Sequence, residues 1–239
     1  METRTNEFGQ PIGPALPDWK PRPLPPRTPL VGRYARIEPV DVARDADALF
    51  DAFSAAPDGR DWTYLSADAF TDRDAYRAYL TRNAALTDPF HHAIIDLASG
   101  KAVGTAALMR IDPANGVIEI GHIAYSPALK RSRVATEAMF LFMQRVFDEL
   151  GYRRYEWKCD HFNAPSRAAA LRYGFQFEGI FRQAIVYKGR SRDTAWFSML
   201  DREWPAVRHG YERWLRPDNF DAAGNQRERL AECIGRSRM

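Results

Sequence analysis

Cysteine is scarce in this chain, with two residues, Cys159 and Cys233, among 239. So low a count supports no disulfide framework and fits a reducing compartment, which makes the cytoplasm the expected location. No apolar run approaches the ~20 residues that a membrane-spanning helix needs. The first residues lack the charged-then-apolar pattern of an export signal. Neither sign of charge dominates: the formal net charge is +3, which suits small anionic molecules and is too slight to point to nucleic acid. Also missing are a Gly-x-x-x-x-Gly-Lys-Ser/Thr loop, a Gly-x-Gly-x-x-Gly fingerprint and a His-Glu-x-x-His pair. Cys159-Asp160-His161 does not stand in for a metal motif. Neighbours on a strand point to opposite faces, and no second ligand pair has metal spacing. No metal is expected, and His91-His92 reads as an alternating strand pair.

What is present begins with enough apolar residue for a core, 45%. Residues 1–31 are rich in Pro and Gly and read as an extended arm, with Trp19 as its anchor. Regular structure is expected from Gly32. Asp41 and Thr71 or Asp72 are placed to cap two helices. A strand at Pro89–Leu97 and one at Ala102–Ile111 flank the turn Ser99-Gly100-Lys101, and Asn115-Gly116 turns the chain into Val117–Tyr125. Apolar residues at helical spacing predict a long helix over Ser132–Leu150, stopped by Gly151. A strand over Tyr152–Asp160, a short helix from Asn163 and a hairpin around Lys188-Gly189-Arg190 follow. The expected organisation is an arm (1–31), one mixed α/β domain (32–200) and a helical or irregular extension packed on it (201–239).

The stretch from Glu119 to Arg182 carries most of the chemistry. A strand runs into the basic loop Lys130-Arg131-Ser132-Arg133, which opens a helix. Backbone N–H groups and cations gathered at a helix start beside a strand end suit a phosphate-bearing cofactor. Glu119-Ile-Gly-His122, Ser126-Pro127, Ala135-Thr-Glu-Ala138, Asn163-x-x-Ser166 and Gly174-Phe-x-x-Glu-Gly179 occur here in one order. Together they resemble the GNAT N-acetyltransferase superfamily, and within it the RimJ/RimL-like branch.

That resemblance implies an α+β fold: a central, mixed, mostly antiparallel sheet of about seven strands flanked by helices, with strands four and five splayed. Acetyl-CoA is the implied co-substrate. An amine acceptor, a peptide N-terminus or a small molecule, would be the other partner, and a homodimer stays open. Ile123, Ala124 and Tyr125 would pair with the pantetheine arm. Lys130, Arg131, Ser132, Arg133, Val134, Ala135 and Thr136 would form the pyrophosphate loop. Asn163 would meet the pantetheine amides and Arg167 a phosphate. Arg133 stands where the family pattern has glycine. Either it keeps helical angles and turns a charge to a phosphate, or the loop is remodelled and binds CoA poorly.

Acetyl transfer needs a proton acceptor for the amine, an N–H donor for the carbonyl oxygen and a group near the departing sulfur. Glu119 is the expected base and His122 the rival. Strand periodicity puts Gly121 and Ile123 on the face of Glu119 and His122 on the other, unless a bulge intervenes. Ser166 is the expected thiol-side group, since the tyrosine of many relatives is replaced by Ala170. Trp62, Tyr64 and Trp196 are candidate acceptor contacts. The alternative reading is a non-catalytic CoA-binding or protein-interaction module on the same fold.

Overall fold

A computed structural model describes residues 4–237. The arm holds a small hairpin, β1 (Arg4–Thr5) with β2 (Pro11–Ile12). It then runs along the body, pinned where the Trp19 indole N–H donates to the Ala114 carbonyl at 2.7 Å. Gly116 makes room: a Cβ there would lie 2.5 Å from the Trp19 ring.

The main sheet has eight strands, one more than expected. They are β3 (Leu30–Val31), β4 (Ala35–Pro39), β5 (Phe90–Asp96), β6 (Lys101–Asp112), β7 (Val117–Tyr125), β8 (Arg154–Asp160), β9 (Gln176–Tyr187) and β10 (Arg190–Leu200), in the order β3-β4-β5-β6-β7-β8-β10-β9. The additional strand, β3, lies at the end of the expected arm, where the Gly32 N–H donates to the Ala35 carbonyl and turns the chain back. Only β7 and β8 are parallel, because the helix between them returns the chain to the same end of the sheet.

Asp41 caps α1 (Val42–Ser54) and Asp72 caps α2 (Arg73–Ala84), each accepting a backbone N–H. These helices cover one sheet face over a core that includes Leu49, Tyr76, Leu80 and Ile95. On the other face lies α3 (Arg133–Gln144), followed by α4 (Ala164–Arg172), α5 (Trp204–Trp214) and α6 (Leu230–Ser237). The expected long helix changes pitch: a π-type turn replaces the α-helix at Arg145–Glu149. The buried Arg145 guanidinium there donates to the Pro26 and Thr28 carbonyls of the arm. Aromatic contacts lock α5 onto α3, with the Phe140 ring stacked on Tyr211 at 5.2 Å.

Glu137, buried within α3, ties that helix to the sheet edge. Its carboxylate accepts the backbone N–H groups of Arg33 (2.9 Å), Tyr34 (2.5 Å) and Ala35 (2.7 Å). Gly32 is required beside it, since a Cβ there would overlap the carboxylate. Removing the carboxylate leaves three backbone donors, one of them on the buried Ala35, without a partner. Glu137→Ala is expected to lower unfolding free energy by about 3 kcal/mol, read from urea denaturation; a loss below about 0.5 kcal/mol would contradict this role.

Candidate active site

β7 and β8 pair in parallel only from Val117–Arg154 to Ile120–Trp157. Beyond that point they part, and the β7 edge from Gly121 to Tyr125 has no strand on the β8 side. On its other side β7 still pairs with β6, through Thr105–Ala124 and Gly104–Tyr125. The expected splay is therefore present between these two strands. A cavity of about 450 Å³ opens in it.

The bulge that sequence reasoning left open is there. Ala107 faces Gly121 and Thr105 faces Ala124, so Ala106 alone opposes both His122 and Ile123. His122 takes φ of +47°, a left-handed conformation uncommon for a residue with a Cβ. The extra residue shifts the strand's alternation. As a result His122 and Glu119 line the same cleft, and the His122 ring lies 5.1 Å from that of His91. Ile123, expected on the Glu119 face, lines the same cavity and also packs with Tyr125 against the α3-side core. Burial holds His122 below the ordinary histidine range and pushes His91 down to about 4.

Across the cleft, α4 begins with Asn163, whose Oδ1 accepts the Ser166 N–H at 3.1 Å. The Ser166 Oγ accepts the Trp157 indole N–H at 3.0 Å, and its hydroxyl also hydrogen-bonds the Cys159 sulfur. Cys159 lies beside Ser166 and lines the cleft, with burial pushing its thiol up. Ala170 is fully buried, so no side chain from that position reaches the site. Arg167 donates to the His161 carbonyl at 3.4 Å, back along its own loop.

In the basic loop before α3, Arg131 takes the left-handed conformation, with φ of +57°. Arg133 is the first residue of α3 and keeps helical angles, so the missing glycine costs no strain there. Ser132 caps the helix, its Oγ accepting the Ala135 N–H at 3.0 Å. The N–H groups of Arg133 and Val134 have no acceptor among the described residues, as a helix start dictates. Lys130 pairs with Asp61. Ala135 and Thr136 are buried under the first turn, and the Thr136 hydroxyl accepts from Arg172 at 3.1 Å. An unpaired strand edge leading to open N–H donors fits an elongated ligand with a phosphate group.

Residues 36–176, more than half the chain, match the family described as Acetyltransferase (GNAT) domain. The chain belongs to the GNAT acetyltransferase family. It is 30% identical over 167 residues to an uncharacterized N-acetyltransferase p20 of Bacillus licheniformis, covering 67% of this chain and 89% of that one. Among solved structures it resembles a GCN5-related N-acetyltransferase from Brucella melitensis: 53% identity, TM-score 0.90, 92% of this chain and 100% of that one covered. It also resembles a probable GNAT-family acetyltransferase from Chromobacterium violaceum: 43% identity, TM-score 0.76, covering 82% and 98%.

In this GNAT domain the cleft carries groups that sequence reasoning missed. Lys158 bridges Glu119 (2.8 Å) and Glu156 (2.7 Å) and sits 3.8 Å over the Trp196 ring. Arg110 approaches Glu119 at 3.2 Å, and Arg154 holds Glu156 at 2.6 Å. The sequence signal was Glu156-x-Lys158 on one strand face, but reading it needed the register that sets Glu119 beside Glu156. Burial raises the Glu119 carboxyl above its usual range although Lys158 and Arg110 pull it down. Tyr64 and Trp196 line the cleft, as do Phe181 and Tyr187 of the β9–β10 hairpin. Trp62 does not: it is packed edge-on against Phe53 and Phe70 in the core under α1 and α2. Neither α1 nor α2 lines the cavity.

Folding raises the Glu119 value above 4.5. The folded chain therefore binds the extra proton, and stability from this group is present at low pH and lost as pH climbs through the raised value. Lys158→Met removes the cation that limits the rise, so the loss extends toward neutral pH. Urea denaturation should show the variant destabilised by about 3 kcal/mol at pH 7, with a smaller deficit near pH 5. A deficit equal at both pH values would contradict the coupling.

Proposed function

We propose that the chain transfers an acetyl group from acetyl-CoA to a primary amine by direct attack in a ternary complex. The single observation that carries this reading is the parting of β7 and β8, with Glu119 and His122 on one side of the opening and Asn163 and Ser166 on the other. Acetyl-CoA supplies an activated thioester. The exposed edge of β7 offers backbone groups to a pantetheine arm by strand addition. Its bulge at His122 frees N–H groups from the ladder, so that one can face a carbonyl oxygen. The free N–H groups of Arg133 and Val134 and the charge of Arg131 suit a pyrophosphate.

The amine must lose a proton to attack, and Glu119 takes it directly or through water. Its raised affinity for protons makes it a better acceptor than an exposed carboxylate, while Lys158 favours its ionised form. His122, neutral at physiological pH, is placed to accept a hydrogen bond from the same amine. Ser166 donates to the departing sulfur, its oxygen already polarised by the Trp157 N–H. The Asn163 oxygen is spent on capping, so its NH₂ group is what remains for an amide carbonyl.

The acceptor is a peptide N-terminus or a small amine, and Asn163-x-x-Ser166 supports the RimJ/RimL-like branch. The acetyltransferase unit spans 32–200, and two buried free thiols suit a cytoplasmic setting. The test is release of free CoA thiol from acetyl-CoA across a panel of peptides and small amines. Glu119→Gln should lower kcat/KM about 100-fold or more. Ser166→Ala should lower kcat about tenfold with CoA affinity unchanged. Tight CoA binding with no amine-dependent release would favour the non-catalytic module instead.

A further inference from the structure

Arg133 is the cation of the cofactor loop with the most constrained setting. Its guanidinium carbon lies 4.9 Å from the centre of the Tyr34 ring and 4.7 Å from that of Phe220. It has no carboxylate partner and donates no hydrogen bond among the described residues. Stacking occupies the flat faces of a guanidinium and leaves its N–H edge available. A side chain held this way loses little freedom when a planar pair of phosphate oxygens meets that edge.

Both rings are themselves fixed. Tyr34 is held through its backbone N–H by Glu137, one turn after Arg133 on the same face of α3. Phe220 belongs to the C-terminal extension, outside the family match at 36–176. It is buried edge-on against Trp214 at 5.0 Å. The loop that presents it is built around the buried Asn219, whose side chain bonds the Trp214 carbonyl at 2.9 Å and the Glu228 N–H at 2.8 Å. The same extension places Trp214 under Arg172, 5.4 Å from its ring centre. Arg172 in turn reaches the first turn of α3 through Thr136.

We infer that the C-terminal extension is part of the cofactor site: Phe220, with Tyr34, positions Arg133 as a phosphate fork at the place where the family pattern has a loop glycine. This rests on the acetyl-CoA reading above. Phe220 acts through Arg133, so it is a positioning residue. Loss of its ring should weaken binding of phosphate-bearing ligands and leave the phosphate-free half of the cofactor unaffected.

The experiment is calorimetric titration of the full chain with CoA and, separately, with pantetheine. Phe220→Leu keeps apolar volume and removes the ring; Phe220→Tyr restores it. The expected result is CoA affinity weakened about tenfold in Phe220→Leu and in Arg133→Ala. The double variant should be no weaker than Arg133→Ala alone, Phe220→Tyr should match wild type, and pantetheine affinity should be equal throughout. Wild-type affinity in Phe220→Leu, or additive losses in the double variant, would overturn the clamp while leaving the cofactor reading standing. A wild-type chain that binds no CoA would overturn the cofactor reading and the clamp with it. If Phe220→Leu is unfolded by circular dichroism, Tyr34→Leu against Tyr34→Phe runs the same cycle from the other ring.

Discussion

Two parallel strands that pair for four residues and then part set the terms for everything else in this molecule. A parallel ladder left open in mid-sheet exposes backbone donors and acceptors that a folded chain otherwise satisfies. The opening persists because both sides are braced independently. β7 stays attached to β6 through a bulge at His122, and β8 is held by seven residue pairs with β10. The strands have no freedom to close, so the gap is a standing cleft suited to an extended ligand that supplies the missing pairings.

The charges around the cleft follow from where the strands are still together. Glu119 and Glu156 are opposite each other in the third of the four paired positions, next to the last. Two like charges side by side would repel. Lys158, one pleat further along β8, lies between them. The arrangement keeps one carboxyl group buried, flanked by cations and beside the opening, a costly thing for a protein to hold. A purely structural sheet face would fill such positions with apolar residues, as the α3 side of the same strands does with Ile118, Ile120, Tyr155 and Trp157.

Local chemistry was legible in the sequence wherever it depends on neighbours along the chain. The cap Asp41, the cap at Thr71 or Asp72 (Asp72 in the fold) and the stop at Gly151 read correctly, since each acts within a few residues. The motif order also pointed to the right family and to the pair of strands that splay. What stayed hidden depends on register or on distant packing. Nothing local marks His122 as a bulge residue, because glycine usually signals positive φ and none is needed here. Lys158 gains its meaning from Glu119 only through the parallel pairing. Trp62 looked like a binding aromatic and proved to be core, a distinction set by helices that cover it from elsewhere in the chain. Arg133 looked like a damaged glycine position. Its two stacking partners, Tyr34 and Phe220, come from opposite ends of the sequence.

The claim that β7 and β8 part to receive acetyl-CoA is tested most directly by amide hydrogen exchange with and without CoA. The amides of Gly121–Tyr125 that face the gap, together with those of Arg133 and Val134, should exchange quickly in the free chain and slow by at least about tenfold when CoA is bound. Slowing confined to other segments, with these amides unchanged at saturating CoA, would contradict it.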